Sequence, residues 1–335
     1  MYYVGLDVHK NQVTMCVLDR GGNVVLRRTI RGNVGKVIKA LRRLDGPRRV
    51  IFEASQGAGY LRDRLRELAV EVVVANPSKI PLIYKSKRKN DRVDAETLAK
   101  LLILNLAPES YIPEEPTRLH RETIEHRRRL LGVRTAAKNR IRSFLHGRGI
   151  EAPKSLWSRA GLAWLRELEF AGPLAAARRD LLLKQLRAAA EDLREITRAL
   201  DAYAEGHAAI GLLMTIPGVG VRTAEAVVAY IDDPRRFRRS GQIGTYFGLV
   251  PTQDQSGSVN RLGHITRQGP SVAQWLLTEA VWQGVRRSAR LRARYDRVLK
   301  GDPDRKKLAA VATAHFLARA MLTMLKTGEV WNEAA

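Results

Sequence analysis

Tyr2-Tyr3-Val4-Gly5-Leu6-Asp7-Val8 opens the chain, and Gln12-Val13-Thr14-Met15-Cys16-Val17-Leu18-Asp19 follows after a short polar break. Both runs are rich in β-branched and apolar residues that alternate as strands do. A third run, residues 22 to 30, follows the Gly21-Gly22 turn. Together they predict a three-stranded meander that begins at residue 2.

Beyond the meander the period changes. Residues 34 to 44 read as a helix, Arg49 to Glu53 as a buried strand, Gly59 to Leu68 as a helix, and Glu71 to Ala75 as a strand ending at Asn76-Pro77. Three meander strands followed by alternating helices and strands predict an α/β sheet of the RNase H-like kind over residues 1–116.

Residues 117–205 are almost entirely helix-forming, with breaks at Gly147 to Pro153 and at Gly172-Pro173. They predict a long antiparallel helical hairpin, a coiled-coil arm whose apolar stripe is either intrachain core or a surface for a partner helix. Residues 206–335 form a further, mainly α-helical unit. Within it Ile216-Pro217-Gly218-Val219-Gly220 has the form of a helix-hairpin-helix turn, where backbone N–H groups of Gly218 and Gly220 can approach a DNA phosphate. An ordinary tight turn is the alternative.

The 335 residues carry 59 Lys and Arg against 34 Asp and Glu, a net charge of +25 spread along the chain. A field of that sign and size points to a polyanionic partner. The single cysteine, Cys16, excludes a disulfide framework and a thiolate zinc site, and its strand context predicts a buried structural thiol. No signal peptide opens the chain and no apolar run reads as membrane-spanning, so a cytoplasmic protein without a membrane partner is expected.

Four acids stand out. Asp7 sits mid-strand in Gly5-Leu6-Asp7-Val8-His9-Lys10, and Glu53 closes Val50-Ile51-Phe52. A carboxylate in an otherwise buried sheet needs a partner or a metal. Asp91 and Asp94, in Lys89-Asn90-Asp91-Arg92-Val93-Asp94-Ala95-Glu96, lie three apart near the start of a helix and so share one face. As a set these acids suit two Mg²⁺ ions, hard cations that clamp the oxygens of a phosphoryl transfer. Singly, Asp91 could serve as an N-terminal helix charge favoured by the dipole, and Asp94 as a first-turn acid or a salt-bridge partner of Lys89 or Arg92. Glu96, Asp19 and Asp63 read as solvated charge. Lys85, Lys87, Arg88 and Lys89 form a basic run beside the acids, suited to a phosphate contact.

In the last unit, residues 252 to 269 read as a long polar loop punctuated by glycine, the kind of segment that carries function. Ser256 precedes a glycine and is followed by Arg261, His264 and Arg267, so a serine attacking phosphorus would have cationic groups at hand. A structural serine is the plainer reading; Ser258 and Tyr246 are the other hydroxyls considered, Tyr246 in apolar surroundings that favour packing.

These motifs, in this order, resemble the insertion-sequence transposases with a DEDD, RuvC-like domain, the IS110 family, which includes bridge-RNA-guided recombinases and looks akin to the Piv invertase. The matching residues are Gly5-x-Asp7-x-x-Lys10, Glu53-Ala54 and Lys89-Asn90-Asp91-x-x-Asp94-Ala95 at the N-terminal end. At the other end they are Ile216-Pro217-Gly218-x-Gly220, Gly248-Leu249-Val250-Pro251, Ser256-Gly257 and Arg261-x-Gly263-x-Ile265-Thr266-x-x-Gly269. The resemblance implies a Mg²⁺-binding tetrad of Asp7, Glu53, Asp91 and Asp94. It also implies Ser256 as a nucleophile forming a phosphoserine link to DNA, an element-encoded guide RNA, and dimers that pair into tetramers through the helical arm. Two departures stand out: Gln255-Ser256 replaces a Ser-Ser pair, and Thr266-Arg267-Gln268-Gly269 replaces a Ser-Lys-Arg-Gly run, which bears on the phosphate contacts near Arg267. Two other functions fit parts of the pattern: a metal-dependent junction nuclease without covalent intermediate, and a non-catalytic nucleic-acid-binding assembly protein.

Overall fold

The computed structural model describes residues 1–80, 91–256, 259–266 and 268–334; the side chains of 91, 92, 254–256, 259, 260 and 262 lie outside that description. The chain divides into two compact units, Met1–Arg118 and Leu119–Ala335.

The first unit is built on a five-stranded mixed sheet. Its strands are β1 (Tyr2–Val8), β2 (Gln12–Leu18), β3 (Val24–Arg31), β4 (Arg48–Glu53) and β5 (Glu71–Ala75), in the order β3-β2-β1-β4-β5. β1, β2 and β3 pair antiparallel, while β4 joins β1 and β5 joins β4 in parallel. This is the expected meander followed by parallel strands, and it is consistent with an RNase H-like sheet.

Helices cover both faces. α1 (Val34–Arg42) and α2 (Ala58–Arg66) bury Val37, Leu41, Leu61 and Leu65 against Val4, Leu6, Met15 and Phe52. α3 (Asp91–Ile103) lies on the other face, where Leu98 and Leu102 meet Ile51, Val73 and Ala75, and Ala95 and Ala99 meet Cys16 and Leu18. Alternation along each strand explains the division: even positions of β1 face α1 and α2, odd positions face α3.

Gly5 is where α3 comes closest. A Cβ at Gly5 would stand 1.9 Å from the Ala95 carbonyl oxygen and 2.8 Å from the Ala99 nitrogen. Backbone meets backbone there, which no side chain can relieve. Cys16 is buried on the same face, and burial pushes its thiol up, as expected of a structural cysteine.

The second unit begins within α4 (Glu115–His146) and continues through α5 (Arg159–Glu167) and α6 (Pro173–Ala204). α4 and α6 run antiparallel: the Arg127 Nε donates to Thr197 Oγ1 at 2.9 Å, and the Arg140 Nη1 to Gln185 Oε1 at 3.4 Å. Ile141, Phe144 and Leu145 share a core with Leu182, Leu183 and Leu186, so part of the apolar stripe is intrachain core. Val133, Leu174 and Leu181 stay exposed. Ile124 and Leu200, at the open end of the pair, share a small core with Ala226, Ala229, Val272 and Leu276.

The remaining helices are α7 (Ala208–Met214), α8 (Val221–Ile231), α9 (Gln242–Tyr246), α10 (Ser271–Gly284), α11 (Ala289–Leu299) and α12 (Lys306–Thr327). They enclose one large core. Contrary to the sequence expectation, one helical stretch, Pro303–Thr327, is long and apolar enough by composition to cross a membrane. One face of it lies in the core, where Ala314, Leu317, Ala318, Met321 and Leu322 are fully buried, while Leu308 stays exposed.

The segment after Pro251 is not the loop expected. β6 (Pro251–Ser256) and β7 (Val259–Ile265) pair antiparallel, with Ser256 opposite Val259 and Asp254 opposite Arg261. In sequence, the Gly257-Ser258 pair, which lies outside the described residues, is a recognised hairpin dipeptide. The ribbon's root is held by glycines. A Cβ at Gly248, whose φ is +65°, would meet the Gly269 nitrogen at 2.9 Å, and the Gln274 Nε2 donates to the Phe247 carbonyl at 2.7 Å.

Gly5→Ala should force α3 off the sheet, costing on the order of 1–3 kcal/mol as an overpacked contact. Calorimetric melting of purified variant and parent checks this; an unchanged melting temperature would contradict the contact.

Candidate active site

Leu6 opposite Phe52 is the last matched pair of parallel strands β1 and β4, so Asp7 and Glu53 are the next positions along neighbouring strands. Asp7 is two residues beyond Gly5, and Glu53 two beyond Ile51, which places both on the sheet face that α3 covers. On α3 the sheet-facing residues Ala95 and Leu98 continue one turn back to positions 94 and 91. All four predicted positions therefore sit at one end of one sheet face.

Asp7 is paired with Thr14 across β2, and the His9 Nε2 donates to Asp7 Oδ2 at 3.0 Å. Glu53 and Asp94 are half-buried. Among the described residues no three His, Cys, Asp or Glu side chains are grouped closely enough to hold a metal ion, and the Asp91 side chain is outside that set. Donor chemistry still fits: every candidate ligand is a carboxylate oxygen, the donor that hard divalent cations take.

The neighbouring acids read as solvated are in fact paired. Glu96 bridges Arg27 and Lys100, the latter at 2.8 Å, and these cations hold its carboxyl below the usual range. Asp63 joins Arg62 at 2.8 Å and Arg118, tying α2 to the start of α4. Asp19 accepts the Asn23 amides of a surface turn. The basic residues Lys85, Lys87, Arg88 and Lys89 lie outside the described residues.

In the second unit, the register of the β6–β7 ribbon places positions 254, 256, 259 and 261 on one face. Arg261 thus shares the face of Ser256, while His264 lies on the opposite face and is exposed. Arg267 and Ser258 are outside the described residues. Tyr246 is a packing residue: its hydroxyl donates to the Tyr230 carbonyl at 2.9 Å, and its ring lies against Phe237 and under Arg236.

The glycine turn between α7 and α8 has a packing reason of its own. Gly218, at φ +91°, would place a Cβ 2.4 Å from the Gly284 nitrogen at the end of α10. Gly220 has open space around it and precedes the first turn of α8.

Residues 4–148 match the family model for DEDD transposases of the IS110 type, described as transposase. Residues 211–296 match the model described as the transposase IS116/IS110/IS902 family. A "Probable family 20 transposase" of Pseudomonas aeruginosa is 30% identical over 332 residues, covering 96% of each chain. The chain belongs to the IS110 family of transposases. The transposase for insertion sequence element IS1328 of Yersinia enterocolitica is 25% identical and covers 98% of both chains. That for IS1111A of Coxiella burnetii is 26% identical over 82% of this chain and 75% of its own. This transposase is therefore an enzyme acting on insertion-sequence DNA, and the reading as a non-catalytic assembly protein is set aside. The DEDD family also implies a divalent metal.

Sequence reasoning overlooked a buried polar cluster of this transposase where α4, α6 and α8 meet. Glu225 is 1% exposed, with Oε2 3.0 Å from the Arg222 Nη1 but off the hydrogen-bonding angle. Burial pushes its carboxyl up to about 7, against the pull of Arg222 and Arg127. The His120 ring packs at a tilt against Tyr203, centroids 4.2 Å apart, its Nε2 has no partner among the described residues, and burial pushes it down to about 4. A lone glutamate in the apolar run Thr223-Ala224-Glu225-Ala226-Val227 was the available signal.

These groups give stability opposite slopes with pH. Glu225, raised from 4.5 to about 7, contributes stability present below pH 4.5 and lost as pH rises through 7. His120, lowered from 6.5 to about 4, contributes stability present above pH 6.5 and lost as pH falls through 4. Denaturant unfolding across this range should show Glu225→Gln flattening the alkaline limb and His120→Gln the acid limb. Parallel curves for parent and variants would contradict these assignments.

Proposed function

We propose that this transposase cuts and rejoins the DNA of its insertion sequence through Ser256, with Asp7, Glu53, Asp91 and Asp94 holding Mg²⁺. The supporting observation is that positions 7, 53, 91 and 94 lie toward one end of the α3-covered face, in a family named for its DEDD acids. When bound there, Mg²⁺ would supply Lewis-acid stabilisation of phosphoryl charge.

The chain's own residues carry the remaining steps. The Ser256 oxygen attacks phosphorus, an O–P bond forms, and the phosphodiester P–O bond to the departing sugar breaks. The proton given up by the serine is balanced by protonation of the departing hydroxyl. Arg261, on the same ribbon face, offsets charge developing on the phosphoryl oxygens. Rejoining is the same exchange with an incoming sugar hydroxyl displacing the serine.

The reading extends to assembly and targeting. Residues 1–116 act as the RuvC-like carboxylate domain, 117–205 as a coiled-coil arm, and 206–335 as the DNA-joining domain with a helix-hairpin-helix-like turn at Gly218 and Gly220. Exposed Val133, Leu174 and Leu181 on the arm suit pairing of protomers into dimers and a tetrameric synaptic complex. Lys85, Lys87, Arg88, Lys89, His264 and Arg267 serve as further nucleic-acid contacts, and an element-encoded guide RNA selects the sites, in the cytoplasm. Base pairing by an RNA would leave sequence choice out of the protein side chains.

Incubating the purified protein and its co-purifying RNA with element-end DNA and Mg²⁺ should give a covalent protein–DNA adduct on a denaturing gel. Ser256→Ala should fold and give none. An adduct that persists in the variant rejects the nucleophile, whereas free phosphate and hydroxyl ends without adduct in the parent would make the protein a junction nuclease. Asp7→Asn should abolish the heat of Mg²⁺ binding in calorimetric titration; retained binding would remove Asp7 from the metal site.

A further inference from the structure

A cleft of about 290 Å³ lies between edge strand β3 and helix α1, on the sheet side away from the carboxylates. Arg28 and Arg31 line one wall, and Lys36, Lys39 and Arg43 the other. All five are exposed, no acid lines the cleft, and none of the five has an ion pair among the described residues. The floor is apolar, made by buried Ile30 and Ala40.

The spacing is regular. Lys36, Lys39 and Arg43 follow the i, i+3, i+7 stripe of one helix face, a row about 10 Å long at the helical rise. Arg28 lies on the same face of β3 as buried Ile30, toward α1, while Arg31 at the strand's end is on the alternate face and reaches the cleft around the open edge. Lys36 is drawn back over the turn, where a Cβ at Gly32 would meet its Nζ at 3.1 Å. Protecting an open sheet edge from pairing would account for cations on β3. It does not account for the row on α1, which has no edge to protect.

We propose that this cleft binds the phosphate backbone of duplex DNA, independently of sequence and away from the carboxylate face. The α1 row of unneutralised cations, with Arg28 across the cleft from it, complements a line of phosphates, whose counterions it releases. No aromatic side chain lines the cleft, so it lacks the stacking platform that single-strand binders use. A duplex, with its bases turned inward and its phosphates outward, is the occupant this chemistry fits. The inference rests on the family's action on DNA and is independent of Ser256 chemistry.

The test measures binding of the full-length protein to a random-sequence DNA duplex by fluorescence anisotropy across a salt series without Mg²⁺, so that no cleavage enters. Replacing Arg28, Lys36, Lys39 and Arg43 together by Gln should lower the log–log salt slope by about 3–4, at roughly 0.9 for each phosphate no longer neutralised. An unchanged slope overturns the proposal. So does a variant that loses only its affinity for an RNA duplex tested in parallel, since the cleft would then be an RNA site. On the unaltered protein, added DNA duplex should shield Lys36 and Lys39 from acetylation read by mass spectrometry. Full modification of both in the presence of saturating DNA overturns the proposal whether or not the variant folds.

Discussion

The N-terminal unit depends on one contact between backbones, that of Gly5 with Ala95 and Ala99. It lets α3 lie directly on the central strand, and the small residues on both sides of the contact leave no room for anything but main chain. Because strand and helix periods are fixed, this single approach determines what lies at the neighbouring positions: Asp7 two residues along the strand, positions 94 and 91 one turn back along the helix. The acids share a face because the glycine and alanines beneath them are small. Packing and the placement of these acidic positions are thus specified by the same few residues.

That relation made the N-terminal unit legible in sequence. Strand alternation gave the meander, buried apolar runs gave β4 and β5, and acids interrupting those runs stood out against them. The partners of Glu96 and Asp63 did not, since Arg27 and Arg118 come from far along the chain and local context cannot supply them. The β6–β7 ribbon was also hidden. Gln253, Asp254, Gln255, Asn260 and His264 give it polar residues on both faces, so the alternation that marks a half-buried strand is missing, and only the Gly257-Ser258 pair remained as a signal.

The second unit is organised differently, by glycines that admit other backbone and by polar groups withdrawn from water. Gly218 against Gly284 joins the turn before α8 to the end of α10, and Gly248 against Gly269 closes the root of the ribbon. Glu225, Arg222, Asp201 and His120 gather where the long helices join the C-terminal core. The burial of Glu225, Arg222 and His120 is costly, and it occurs at the junction through which the helical pair is fixed to the rest of the unit, with Asp201 at its exposed rim.

The closed root of the ribbon has a mechanical consequence. From Pro251 to Ser256 the strand extends roughly 17 Å at about 3.3 Å per residue, anchored at one end by the glycine pair and Gln274. Such a ribbon behaves as a lever. A tilt of about 15° at its root would carry position 256 through roughly 4 Å, more than the length of a hydrogen bond. The position of residue 256 is therefore governed by how firmly Phe247, Gly248 and Gly269 are packed at the far end of the ribbon.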